Sequence, residues 1–204
     1  MTSERTAGGR VADDGGDDEA EDRPDLSGAQ PAPAFEVLFD RHARPLHRYL
    51  ARRVGDLADD LVGETFLVAL RTRAGYDPGR GTARSWLYGI ATNLLRRHLR
   101  QEVRGLRAAA RSVGSVAGGE GHEDRVAARV DASARAVRLA GALAALEAGD
   151  RDVLLLTSWA GLDSNEVAEA LGIPVGTVRS RLHRARTRLR AHASNTEDSR
   201  TGDE

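Results

Sequence analysis

The chain has 204 residues, of which 40% are hydrophobic and 4% aromatic, enough for one or two small domains with their own cores. Cysteine is absent, which excludes disulfides, thiolate metal sites and cysteine nucleophiles. The net charge of −1 conceals a segregation, with acids crowded into residues 13–25 and again after residue 196 around a basic interior whose cations are all arginine. No secretory signal and no run of about twenty apolar residues is present, so the expected compartment is the cytoplasm.

Residues 1–33 are Gly, Asp, Glu, Ala and Pro with scarcely an apolar anchor, and they read as a disordered acidic tail. Such a tail can also stand in for DNA on a basic surface. From Ala34 the pattern becomes helical. Phe35, Leu38, Phe39, Leu46, Tyr49, Leu50 and Val54 recur at helix spacing, and Pro45 predicts a kink or break between two helices. The next helix sets Leu57, Leu61, Val62, Thr65, Phe66 and Leu70 inward and leaves Asp59, Asp60 and Glu64 outward. An acidic edge inside a basic domain points to a protein partner.

The segment GYDPGRGTARSW is a loop by its proline and glycines. A long helix follows, with Trp86, Leu87, Ile90, Leu94 and Leu95 as core and Arg96, Arg97, Arg100 and Arg104 as a basic side suited to phosphates. Residues 34–105 form the first domain. Residues 106–133 lose the apolar period and read as a flexible linker. The second domain, 134–192, opens with ARAVRLAGALAAL, breaks at Ala148 and Gly149, and restarts with Asp150 as a helix cap. Residues 193–204 read as a second disordered tail.

Within that domain, Asp163 to Arg190 spells two helices around a tight turn. Asp163 and Glu166 have the spacing of a capping box, Gly172 suits a left-handed helix end, and Pro174 fits the first turn of the next helix. On that second helix Val175, Val178, Leu182, Ala185 and Leu189 fall on one stripe. The opposite face carries Gly176, Ser180, His183, Arg184 and Thr187, flanked by Thr177 and Arg179, a set of donors and small residues suited to a major groove. The expected fold is therefore all-α: two small helical domains joined by a flexible linker, the C-terminal one a helix-turn-helix, winged-helix-like but without strands.

Three strings, DDLVGETFLVAL, YDPGRGTARSWLYGIATNLLRRHLR and GDRDVLLLTSWAGLDSNEVAEALGIPVGTVRSRLHRAR, lie in an order and spacing that resemble the extracytoplasmic-function (ECF) group of bacterial sigma factors. The likeness covers residues 34–192. It implies a protein that binds core RNA polymerase, directs it to promoters and helps to open the DNA. It implies that Asp59, Asp60, Leu61 and Glu64 dock on the clamp helices of the largest polymerase subunit. The loop and helix carrying Arg80, Arg84, Trp86, Asn93, Arg96, Arg97 and Arg100 would engage the downstream promoter element at the edge of the melting bubble, where one base is held out of the stack. Thr177, Arg179, Ser180, His183 and Arg184 would read the upstream element as duplex. An anti-sigma protein is implied as a further partner, with no cofactor and no metal. Asp163 stands where this family commonly has Ser or Thr, and Asp also caps.

Two other readings remain open at this point. A stand-alone helix-turn-helix regulator would bind its operator without polymerase. An enzyme such as a recombinase needs a catalytic constellation, and His42, His47, Ser85, His98, Asp40 and Asp77 show no metal or triad spacing.

Overall fold

The computed structural model describes the backbone of residues 22–112 and 139–201 and the side chains of residues 22–101 and 139–192. Among the described residues the regular structure is helical throughout. Helix α1 (Ala32–Val54) begins with proline in its first turn and ends at Gly55, whose φ of 59° and N–H to the Ala51 carbonyl close the helix. It runs through Pro45 as one helix, where the sequence predicts a kink or a break between two helices; the break is absent. The ring removes one backbone donor, but the buried stripe of Leu38, His42, Leu46, Tyr49 and Leu50 spans both sides of it and holds the helix in place.

A short 3₁₀ turn (Gly55–Leu57) leads into α2 (Ala58–Thr72), and a loop leads on to α3 (Ala83–Ser112). Helix α1 packs on α2 and α2 on α3, with Tyr49 meeting Tyr88 edge-on at 5.3 Å. After a helical stretch at 139–145 come α4 (Ala148–Ser158), α5 (Ser164–Leu171) and α6 (Val175–Thr201). Helices α4 and α5 both pack on α6, and α5 also packs on α3. One apolar core is therefore continuous from Leu46 and Leu87 to Val153, Val167 and Val178, crossing both helical units.

Several expected boundaries move. The acidic tail ends earlier than residue 33, because Asp22 and Leu26 are buried against the first helical unit; residues 1–21 lie outside the described residues. The linker starts later than 106, since α3 continues to Ser112, and 113–133 lie outside the described residues. Helix α6 continues to Thr201 instead of ending near 192. Helix α4 begins at Ala148 behind Glu147, so Asp150 is not a cap. It sits in the first turn with its carboxylate buried beneath α6.

Candidate nucleic-acid and protein interfaces

The start of α3 is built by three separate pieces of chain. Its first free N–H groups need acceptors. Ala83 donates to the Asp22 carbonyl at 2.8 Å, Arg84 to Asp22 Oδ2 at 2.9 Å, and Ser85 to Thr82 Oγ1 at 3.1 Å. Asp22 is thus a cap supplied from the segment ahead of α1. Its other oxygen, Oδ1, accepts from buried His42 Nε2 at 2.6 Å, and neighbouring Arg23 donates to the Pro78 carbonyl at 2.7 Å.

The loop before α3 is folded on Asp77, which accepts from Gly79 N–H through its side chain and from Arg80 N–H through its carbonyl. The Tyr76 hydroxyl donates to the Gly81 carbonyl, and burial, with Asp22 nearby, pushes its pKa up to about 12, so it stays a neutral donor. Loop and helix, with Glu169 of α5, border a half-open cavity of about 290 Å³ lined by Tyr76, Asp77, Arg80, Ser85, Trp86 and Glu169. Trp86 is half-buried and lies against Tyr76, ring centroids 4.9 Å apart, so the indole is at once core and cavity wall.

The basic residues of this region divide into two sets. Arg80, Arg97 and Arg100 are exposed, as is Asn93. Arg84 donates to the Ala160 carbonyl and lies 3.3 Å from Glu166, while Arg96 Nε donates to Asp152 Oδ2 at 2.6 Å. Both of these arginines therefore meet the C-terminal unit.

The helix-turn-helix forms as its spacing predicts. Asp163 Oδ1 accepts from the N–H of Asn165 and Glu166, and Glu166 Oε2 accepts from the N–H of Asp163 in return. Gly172 ends α5 in the left-handed region at φ 63°, and the Ile173 N–H returns to the Ala168 carbonyl. On α6, Val178 and Ala185 are buried, Val175, Leu182 and Leu189 are half-buried, and Arg179, Ser180, His183, Arg184 and Thr187 are exposed beside half-buried Thr177.

One member of that face is committed elsewhere. The Arg184 guanidinium forks onto Asp150, Nη2 to Oδ1 at 2.8 Å and Nε to Oδ2 at 3.2 Å. The pair ties α6 to α4, and the hydrogen bond from Arg184 holds the Asp150 carboxyl below the usual range.

On α2, Asp59, Asp60 and Glu64 are exposed, and Asp59 reaches His47 at 3.3 Å. Leu61 is buried and supports the edge from beneath. The apolar period misplaced three neighbours of this edge: Phe39, Leu57 and Leu70 are exposed, and so is Leu67. Phe39 leans on Phe66 at 4.9 Å, so the acidic edge adjoins an apolar strip. Among the described residues no group of three His, Cys, Asp or Glu side chains is placed to hold a metal ion.

Sequence reasoning missed Asp22, Asp152 and Glu169, all of which act across distances of 56 residues or more. Asp152 carried a usable signal, since it stands three and four residues before Leu155 and Leu156, on the inward side of an apolar run. A carboxylate there must find cations.

The sequence family of sigma-70 region 2 matches residues 38–105, which span most of α1 through α3, and sigma-70 region 4 matches residues 127–189, which include the helix-turn-helix. The sigma factor CarQ of Myxococcus xanthus is 36% identical over 161 residues, covering 77% of this chain and 87% of CarQ. The ECF sigma factor SigL of Mycobacterium tuberculosis is 35% identical, covering 81% of this chain and 93% of SigL. The chain belongs to the ECF sigma factors of RNA polymerase. This sigma factor also resembles the solved structure of CnrH in complex with the cytosolic domain of CnrY, at 29% identity, a TM-score of 0.56 and coverage of 87% of this chain and 95% of that one. In the sigma factor, the α2 edge and the α3 side of the cavity fall within region 2, while Glu169 of the cavity wall, the capped turn and the Arg-rich face of α6 fall within region 4.

Proposed function

We propose that this sigma factor, acting with core RNA polymerase in transcription initiation, divides the work among three surfaces. Asp59, Asp60 and Glu64, with Phe39 and Leu67 beside them, dock on the polymerase. The loop of Arg80 and the α3 side chains Arg84, Trp86, Asn93, Arg96, Arg97 and Arg100 hold the melted downstream element. Thr177, Arg179, Ser180 and His183 contact the upstream element in the major groove. The observation that carries this division is the co-occurrence, in family order, of an exposed acidic edge with an adjoining apolar strip and two separate arginine-bearing helices.

On this reading the protein does its work in the cytoplasm and catalyses nothing itself, the polymerase carrying out the chemistry. No described helix is long and apolar enough to cross a membrane. CnrH is solved with the cytosolic domain of CnrY; an anti-sigma protein is the corresponding proposed inhibitor here. Run-off transcription with core polymerase and fragments of the source genome tests the reading. A promoter-dependent transcript that requires the protein is expected. Operator binding by the free protein, with no transcript and no polymerase recovered in pull-downs, would instead identify a stand-alone regulator.

A further inference from the structure

Residues 22–27 lie ahead of α1 and ahead of the region 2 match, yet they are built into the loop assigned to the downstream element. Two adjacent residues make the connection. Asp22, 7% exposed, receives the Ala83 N–H on its carbonyl and the Arg84 N–H on Oδ2, while its Oδ1 accepts from His42 of α1 at 2.6 Å. Arg23 then crosses to the loop, where its Nη1 donates to the Pro78 carbonyl at 2.7 Å.

The segment is seated from both sides of these two residues. Leu26 is 2% exposed and shares a core with Leu38, Leu87 and Tyr88. Beside it Asp25 Oδ1 accepts from the Ser27 N–H at 2.8 Å and from the Ser27 hydroxyl at 2.6 Å, a turn that leads the chain on towards α1. Within the loop, Asp77 holds Gly79 and Arg80, and the Tyr76 hydroxyl holds the Gly81 carbonyl at 3.2 Å. Proline has no N–H, so its carbonyl is the one backbone group by which residue 78 can be tied.

We propose that residues 22–27 are a brace for promoter discrimination, in which Asp22 and Arg23 are positioning residues for Trp86 and Arg80. Trp86 stands in the first turn of α3, whose N–H groups Asp22 receives, and Arg80 stands two residues beyond the carbonyl that Arg23 holds. Both side chains line the same 290 Å³ cavity, so one short segment sets the spacing of its helix wall and its loop wall. A site that selects among bases needs its groups held to within about 0.5 Å. A loop released from Arg23 admits wrong bases more readily, while the exposed position of Arg23 leaves the fold intact. The proposal rests on the assignment of this loop and α3 to the downstream element.

The test uses core polymerase with the full chain and a promoter fragment obtained by run-off transcription. Promoter opening is read by permanganate reactivity of unpaired thymines, in competition against single-base variants of the downstream element. Arg23→Ala is expected to keep the parental melting temperature and affinity for core polymerase. Its discrimination against the variant bases should fall about three- to tenfold, the scale of one lost hydrogen bond from a charged donor. Arg23→Lys, whose ammonium can still donate to the Pro78 carbonyl, should recover part of that loss. Parental discrimination in Arg23→Ala overturns the proposal. So does an equal loss on every downstream sequence, which would make Arg23 a phosphate contact. Should Arg23→Ala not fold, Arg23→Met, which keeps the apolar stem without a donor, decides by the same criteria. Failure of the underlying assignment looks different, because Arg80→Ala would then leave opening and discrimination at parental levels.

Discussion

Arg184 shows how one side chain can satisfy two readings of a helix face. Its position four residues beyond Ser180 places it outward, where an arginine suits guanine. Its guanidinium is nevertheless spread flat on Asp150, whose residue is buried and which it holds in the ionised form. Arg184→Ala is therefore expected to weaken binding to all duplex sequences alike, by loosening α6 on α4, whereas His183→Ala should blunt discrimination at one base position. Competition binding against single-base variants of the upstream element separates these outcomes. A pH dependence follows as well. A carboxyl depressed in the folded state contributes stability that is present above its unfolded pKa, about 4, and is lost as pH falls through the lower folded value. Acid unfolding followed by circular dichroism should therefore show a shallower loss of stability below about pH 4 in Arg184→Ala than in the parent.

At the scale of elements, what was legible in the sequence was what a helix decides within a few residues of itself. The capping box of Asp163 and Glu166, the left-handed Gly172 and the Val178 to Ala185 stripe all follow from spacings of ten residues or fewer, and all are present. The start of α3 was not legible, because its cap, Asp22, stands 62 residues away and belongs to a stretch whose composition reads as tail. Burial of Leu26 beside it supplies the anchoring that composition concealed. Phe39, Leu57 and Leu70 failed for a related reason: helical periodicity marks an apolar face but does not say whether this chain or another protein covers it. Asp22→Ala should leave the Arg84 N–H at the start of α3 and the His42 ring poorly served, while the backbone carbonyl of residue 22 still receives the Ala83 N–H. It should lower stability by about 1–2 kcal/mol, the range for a lost helix cap, in urea unfolding. Asp22→Asn, which keeps an acceptor, should lower it by less.

At the scale of the molecule, two helical units were readable as such, but their contact was not: Arg53 and Arg96 look in sequence like ordinary surface charges, and the inward position of Asp152 does not say which cations it meets. The burial of Arg53 and Asp152, with Arg96 half-buried beside them, ties the two units together in this arrangement. A buried carboxylate shared by two arginines tolerates loss of a partner poorly. In that same arrangement Asp59, Asp60, Glu64 and Leu67 remain exposed. On the proposed assignment, the edge offered to polymerase is thus exposed while Arg84 and Arg96 of α3 meet the C-terminal unit. The two surfaces should then be separable by mutation. Asp60→Arg combined with Glu64→Arg reverses the charge of the edge, and Leu67→Ala trims the adjoining strip. All three sites are exposed, so stability should change by no more than about 0.5 kcal/mol per site. Competition for core polymerase should nevertheless weaken by at least about tenfold for the charge reversal, while the affinity of the free chain for duplex upstream-element DNA stays the same, as expected for sites without shared partners. Equal losses in both assays would mean that the α2 edge and the DNA-binding faces do not act separately, and the proposed division of work between them would have to be abandoned.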